Sequence, residues 1–305
     1  MAGKDNNPCR VRKRTLMPKP ITVTESSGLL EALFGAWPEL KKKQIRTWLK
    51  HKSILVNGRP TSQFDHPLKT GDVVAVRSGD TVVTEAELPS GIKIWHEDAT
   101  LLVMEKPAGL LSMASEAERD KTAYAMLTSH VRKGNRQGRE RVWIVHRLDR
   151  DTSGLMVFAK SERAKRTLQA GWERAEKKYQ AVIEGALPQE KGVFESDLDE
   201  SNPLKVYVVE AGAQFRRAVT RYRVLKKGTA RSLVELTLET GRRHQIRVQL
   251  AAAGHPIVGD GKYGAKTDPA RRVALHAYAL SFPHPETGKT MRFESALPKE
   301  LARLV

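Results

Sequence analysis

The chain has 305 residues, with 53 Lys+Arg against 35 Asp+Glu and a formal net charge of +18. That length can bury a large core and divide into two domains, and the excess of positive charge points to a polyanion whose counterions leave on binding. The single cysteine, Cys9, excludes a disulfide framework and a thiolate metal cluster and fits the reducing cytoplasm, and no apolar run approaches the roughly 18 residues of a membrane span.

Residues 1–20 carry Lys4, Arg10, Arg12, Lys13, Arg14 and Lys19 among prolines, without the apolar stretch of a secretion signal. They read as a flexible basic arm, with an organelle-targeting role left open. Residues 21–76 read as a compact module. Ser26 or Ser27 is expected to cap a helix over Leu29–Phe34. A second helix is expected to start near Pro38, with Leu40, Ile45, Trp48 and Leu49 at helical spacing. Its other faces hold Lys41, Lys42, Lys43, Arg46, Lys50 and Lys52, against the lone acid Glu39. Such like charges repel one another unless water solvates them or phosphates face them. Asn57-Gly58 then follows Ile54-Leu55-Val56 as a hairpin signal, with a second strand at Val73–Val76.

On the basic second helix, the run Ile54 to Gly58 and Gly71-Asp72-Val73-Val74, this segment resembles the S-four-like RNA-binding module of ribosomal proteins and RNA-modifying enzymes. The resemblance implies that Lys41, Lys42, Lys43 and Arg46 contact RNA.

Residues 77–91 read as a polar linker, and 92–305 as one α+β domain. Ser232 to Leu238 alternates as a half-buried strand should, and further strands are expected at Tyr179–Ile183, Val219–Lys227, Leu275–Phe282 and Thr290–Leu297. Helices are expected at Thr122–Arg132, at Glu162–Glu176 behind a Ser161 cap, and at Arg243–Ala253. The strands cluster rather than alternate with helices, which predicts a mixed, largely antiparallel sheet. Lys133–Arg141 reads as a mobile basic loop.

Two stretches concentrate chemistry. The first is His146-Arg147-Leu148-Asp149-Arg150-Asp151-Thr152-Ser153-Gly154, set between the apolar runs Val142–Val145 and Leu155–Ala159. Taken alone it could be a solvated turn of paired charges. The second is Thr240-Gly241-Arg242-Arg243-His244-Gln245-Ile246-Arg247, after a strand and opening a helix. Free N–H groups at that helix start, with Arg243 and Arg247 four apart and expected to share a face, suit a phosphate or a carboxylate such as Asp149. By pattern alone Tyr179 reads as a core or edge aromatic, and Lys106-Pro107-Ala108-Gly109 as a strand end and turn. Other signals fail. Asp149, Asp151, Ser153 and Gly154 mimic a calcium loop, but its twelfth position is Lys160 rather than Glu. Gly288-Lys289-Thr290 lacks the glycine a phosphate loop requires at Pro283, and no histidines take zinc spacing. Val258 to Gly264 reads as a structural loop.

Four blocks in order carry a second resemblance: Asp98 to Val103 through Lys106-Pro107-Ala108-Gly109-Leu110; His146-Arg147-Leu148-Asp149 with Thr152-Ser153-Gly154; Lys178-Tyr179-Gln180-Ala181; and Gly241-Arg242 with His244-Gln245-Ile246-Arg247. Together they resemble the RluA-class ribosomal large-subunit pseudouridine synthases, over about Ile94 to Pro298. Arg243, Gln249 and Leu111-Ser112-Met113-Ala114-Ser115 depart from the usual pattern, which bears on substrate contacts. The resemblance implies a pseudouridine synthase domain that isomerises uridine in structured RNA, most simply large-subunit ribosomal RNA. It implies Asp149, Tyr179 and Arg247 as catalytic residues: Asp149 as nucleophile, base or charge stabiliser at the sugar, Arg247 orienting it, and Tyr179 stacking on the base. Arg147 fills the space left by the extruded base, and His146, Arg242, Arg243 and His244 join it as RNA contacts. The implied enzyme is a monomer that needs no metal, no small-molecule cofactor and no membrane. A non-catalytic ribosome-assembly protein, an N-glycosidase, or a synthase acting on tRNA or mRNA are the competing readings.

Overall fold

The computed structural model describes residues 18, 20–50, 54–76, 86–88, 91–114, 118, 120–133, 140–210 and 215–305. The basic arm expected over 1–20, the linker over 77–91 and the mobile loop over 133–141 lie largely outside the described residues. The chain divides into two compact units, Met1–Val83 and Thr84–Val305.

The first unit contains β1 (Ile21–Thr22), β2 (Ser27–Gly28), α1 (Leu29–Ala36), α2 (Lys42–Lys50), β3 (Ile54–Val56), β4 (Arg59–Thr61), β5 (Pro67–Leu68) and β6 (Val73–Val76). Leu29, Leu33, Trp37, Ile45, Trp48 and Leu49 bring the two helices into one apolar core with Ile54 and Val74. Three expectations need correction. The residue before α1 is Gly28, which makes no side-chain cap, because Ser27 is paired in β2. Pro38 does not open α2: a turn from Trp37 to Leu40 comes first, and the Lys41 carbonyl accepts the first helical bonds. That turn seats Trp37 edge-on against Trp48, with ring centroids 6.1 Å apart. The Asn57-Gly58 hairpin exists, with φ of 50° and 77°, but its partner strand is β4. β6 pairs on the other side of β3.

The second unit contains β7 (Ala86–Glu87), β8 (Lys93–Glu97), β9 (Leu101–Lys106), α3 (Ala123–Lys133), β10 (Trp143–Ile144), β11 (Ser153–Ala159), α4 (Glu162–Ala170), β12 (Glu176–Glu184), β13 (Lys191–Asp199), β14 (Tyr207–Val209), β15 (Arg216–Lys226), β16 (Arg231–Leu238), α5 (Gln245–Ala252), β17 (Leu275–Pro283), β18 (Thr290–Glu294) and α6 (Lys299–Ala302). Its strands form a 12-stranded sheet in the order β14-β13-β15-β16-β12-β17-β11-β9-β8-β7, with β10 on β11 and β18 on β17. Every strand pairing among the described residues is antiparallel except β11 with β17, so the fold is the mixed, largely antiparallel α+β arrangement.

Apolar side chains line both faces of the central strands. Leu102, Met104, Met156 and Phe158 face the core shared with α3 and α5, while Leu101, Val103, Leu155 and Val157 face a second cluster with α4. Burial on both faces explains the unbroken apolar runs of β9 and β11. Helix boundaries differ from expectation. Ser161 does cap α4, accepting from the Ala164 N–H at 3.1 Å, but α4 stops at Ala170 because Gly171 ends it and Glu176 already opens β12. α5 begins at Gln245, because His244 takes the left-handed conformation at φ 53°. Thr290–Glu294 is shorter than its expected strand, and β13 and β14 were not expected at all.

Candidate active site

Asp149 sits in the loop from β10 to β11, and that loop is tied down on both sides of it. The Ser112 hydroxyl donates to the Leu148 carbonyl at 2.6 Å and accepts the Leu148 N–H at 3.1 Å. One residue past Asp149, the Arg150 carbonyl accepts from Lys106 Nζ at 3.0 Å and from the Gly109 N–H at 2.8 Å. Lys106 is fully buried at the end of β9 and also donates to the Pro107 and Leu110 carbonyls. Burial pushes its pKa down to about 7, opposed by the charges of Asp149 and Asp151. Three carbonyl acceptors engage three N–H donors, so this geometry belongs to the ammonium form. The Asp149 carboxylate is thus presented by a backbone fixed from strand β9. Nothing in the spacing of Lys106 or Ser112 signalled that task.

Arg247, on α5, faces Asp149. Its Nη1 lies 3.6 Å from Asp149 Oδ2 and 3.9 Å from Asp151 Oδ2, close ionic contacts that fall short of hydrogen bonds. Its fork is spent on Asp260, with Nε to Oδ2 at 2.6 Å and Nη2 to Oδ1 at 2.8 Å. Both partners are almost wholly buried. Burial opposes the guanidinium charge, but the Asp260 hydrogen bonds and charge outweigh it and raise the pKa of Arg247. Asp260 therefore fixes Arg247 as a permanent cation while leaving the Asp149 oxygens open to a ligand.

His244 completes the ring around Asp149, its Nε2 4.0 Å from Oδ1. Its Nδ1 is 2.8 Å from the Tyr263 hydroxyl, which also accepts the Val206 N–H at 3.1 Å. The Tyr263 hydroxyl thus bridges the Val206 backbone and Nδ1 and sets the orientation of the imidazole, whose other nitrogen faces Asp149. Tyr179, on β12, lies at an irregularity where β12 shifts register against β17 between Lys178 and Gln180. It is buried, and burial followed by the charge of Asp149 raises its pKa, so it is a neutral phenol beside the carboxylate.

The structure thus brings together Asp149, Tyr179, Arg247 and His244, and adds Asp260 and Tyr263 from the loop read as purely structural. Other expected contacts stand differently. His146 accepts the Val157 N–H at 3.1 Å and stacks on Trp172 at 4.5 Å, and burial and then Lys177 push its pKa down to about 3. It is a neutral brace between β10 and β11. Arg243 does not share a face with Arg247: it precedes the helix, and its guanidinium holds the carbonyls of Glu200, Asn202 and Pro203. Arg242 is exposed, with Nε on the Arg217 carbonyl at 3.1 Å. Arg147 is exposed, with no side-chain partner among the described residues. Lys41, Lys42, Lys43 and Arg46 lie exposed in the first unit, where Lys42 and Arg46 lean over the Phe34 ring at 5.3 and 5.9 Å. Among the described residues no three His, Cys, Asp or Glu side chains converge as a metal cage requires.

Comparison with known proteins meets this geometry. Residues 100–252 match the family described as RNA pseudouridylate synthase. The chain is 35% identical, over 92% of its length and 78% of the relative's, to ribosomal large subunit pseudouridine synthase D of Neisseria meningitidis. It is 34% identical to the uncharacterized RNA pseudouridine synthase YlyB of Bacillus subtilis, over 87% of this chain and 88% of that one. Among solved structures, human RNA pseudouridylate synthase domain containing 4 superposes with a TM-score of 0.58 at 27% identity, covering 69% of this chain and 92% of that chain.

Proposed function

The chain belongs to the RNA pseudouridine synthases of the RluA, ribosomal large-subunit class, and from that premise we propose that it converts specific uridines of large-subunit ribosomal RNA to pseudouridine, with Asp149 as the catalytic carboxylate. The substrate follows the names its relatives carry and the net charge of +18. The observation that carries the site is the presentation of Asp149: backbone clamped on both sides, a cation at 3.6 Å and an imidazole nitrogen at 4.0 Å.

The reaction is an isomerisation. The bond from ribose carbon 1 to base nitrogen 1 breaks, the uracil turns, a bond from carbon 1 to carbon 5 forms, and the proton of carbon 5 is lost as nitrogen 1 gains one. Whether Asp149 attacks the sugar, removes a proton or steadies oxocarbenium-like charge, it works as a carboxylate, with Arg247 and His244 on either side of it. Tyr179 forms the apolar floor on which the freed uracil can stack and turn. The target base leaves its helix first, and exposed Arg147 is placed two residues from Asp149 to enter the gap.

The decisive experiment is Asp149→Asn, which keeps the volume and removes the charge. Pseudouridine mapping of ribosomal RNA incubated with this variant should show no product at sites that wild type modifies, while filter binding shows RNA affinity within about threefold, since the change touches transition-state rather than ground-state binding. Near-normal turnover by the Asn variant defeats the assignment.

A further inference from the structure

The excursion between β13 and β14 holds apolar groups that the isomerisation leaves without a task. Leu204 is 74% exposed and Tyr207 is 44% exposed. A loose loop could fold such side chains away, but this one is held. Asp199 Oδ1 accepts the Ser201 N–H at 2.8 Å, and Asn202 Oδ1 accepts the Leu204 N–H at 2.8 Å and that of Lys205 at 3.3 Å. The Arg243 guanidinium grips the carbonyls of Pro203, Glu200 and Asn202, and Lys262 Nζ donates to the Leu204 carbonyl at 3.0 Å. Val206 is fully buried against Tyr263 and Val248.

This strap stands at the rim of the catalytic site. Its Val206 N–H bonds the Tyr263 hydroxyl, which bonds His244, whose Nε2 is 4.0 Å from Asp149. Only two side chains separate the strap from the carboxylate. Its surroundings are cationic. Lys205 Nζ lies 5.6 Å from both the Tyr207 and Tyr263 rings, Lys262 and Arg243 flank it, and these three cations outnumber the carboxylates of Asp199 and Glu200, the latter accepting the Arg243 backbone N–H at 2.6 Å.

We propose that the strap is a wedge for the RNA helix around the target: Leu204 and Tyr207 enter the stack beside the departing uridine, and Lys205 and Lys262 meet the flanking phosphates. The proposal rests on the pseudouridine synthase reading and deepens it. A base inside a helix can reach Asp149 only by leaving the stack, and apolar side chains inserted at such a step offset the lost stacking. A wedge must be rigid, apolar at its tip, cationic at its flanks and beside the catalytic group, and the strap has all four properties. A protein-binding strip of this size needs no cations around it.

The test uses the full chain and unmodified large-subunit ribosomal RNA transcribed in vitro. Because Leu204 is exposed, its substitution spares the fold. Leu204→Ala should lower the single-turnover rate at saturating RNA by about tenfold or more, a fraction of an unstacking cost, with dissociation constants within about twofold of wild type. Leu204→Met and Leu204→Phe should restore the rate, and Leu204→Lys should not. Arg243→Ser should reproduce the rate loss and speed amide exchange across 200–206. Wild-type rates for Leu204→Ala overturn the wedge and leave the strip to a protein partner. Rescue by Lys as good as by Phe, or a loss confined to affinity, also overturns it. Wild type run in the same tubes separates the two readings: if it forms no pseudouridine, the proposed function fails rather than the wedge.

Discussion

Asp260 decides what Arg247 can do. An arginine with no other partner beside Asp149 would close into a direct fork–fork pair and cover the carboxylate oxygens. The 2.6 and 2.8 Å bonds to Asp260 hold it one step back, at 3.6 Å. Asp260→Asn should therefore hurt twice. Breaking a buried ion pair by removing one partner costs on the order of 3 kcal/mol, softened here because Asp149 and Asp151 remain near the guanidinium. The folded fraction should also turn over slowly, since Arg247 is released toward Asp149. Thermal unfolding and single-turnover rates measure the two effects separately, and an unchanged rate in folded protein would show that the tether has no catalytic consequence. His276 makes a second residue-scale prediction. It is fully buried beside the loop, with Nδ1 2.8 Å from Ser153 Oγ and Nε2 2.7 Å from Ser295 Oγ. Arg272 donates to the same Ser153 oxygen at 2.6 Å, so a guanidinium stands beside the ring and opposes its protonation. Burial, then Arg272 and Lys93, push its pKa down to about 3. A folded-state value below the unfolded one means stability is present above the unfolded pKa of 6.5 and is lost as pH falls from there toward 3. Between pH 6.5 and 5 the loss is about 2 kcal/mol from this group, at roughly 1.4 kcal/mol per unit. Buried His146 adds a like share over the same window, so urea midpoints against pH should show at least that slope, and His276→Gln should remove the His276 part of it.

At the scale of elements, the parallel junction of β11 with β17 is the least tolerant point. Gly154 has φ 126°, and a Cβ there would lie 2.2 Å from the Ala277 carbonyl oxygen. Gly154→Ala forces apart the parallel β11–β17 pair, five residues from Asp149, and should cost about 3 kcal/mol or more with a matching fall in melting temperature. A melting temperature within a degree or two of wild type would show that the junction yields. The glycine was legible as part of a turn-rich loop, but the carbonyl that demands it belongs to a strand over a hundred residues on. The same distinction runs through the molecule. Strands with strong apolar signals, such as β11, β16 and β17, were legible within a residue or two. β13 was not, because Lys191, Glu195, Ser196, Asp197 and Asp199 give it little strand character, and its pairing along β15 supplies what its composition lacks. The sequence pattern makes α4 too long because it runs on past Gly171, although the chain turns there to start β12. In the site, Asp149, Tyr179 and Arg247 were legible through resemblance. Asp260, Tyr263, Ser112 and Lys106 were not, since each acts through a partner that only the folded chain brings near.

At the scale of the whole molecule, we propose a division of labour between the two units. Asp149, Tyr179, His244, Arg247 and Asp260 all belong to the second, while the densest run of cations, Lys41, Lys42, Lys43 and Arg46, belongs to the first. The first unit has its own core, so its basic surface can be altered without touching the chemistry. Lys42 and Arg46 also cover the Phe34 ring, so truncation to alanine would remove packing along with charge. Glutamine keeps most of the stem and removes only the charge. In the fourfold Gln variant, RNA affinity should weaken. The slope of log affinity against log salt should become shallower by roughly 0.9 for each duplex phosphate no longer neutralised, up to about 3.6 if all four residues engage phosphate. The single-turnover rate at saturating RNA should stay near wild type, because nothing within bonding distance of Asp149 has changed. Filter binding across a potassium chloride series and a saturating rate measurement read the two quantities independently. An unchanged slope would mean that these side chains face water, and a collapsed saturating rate would mean that the first unit takes part in turnover itself.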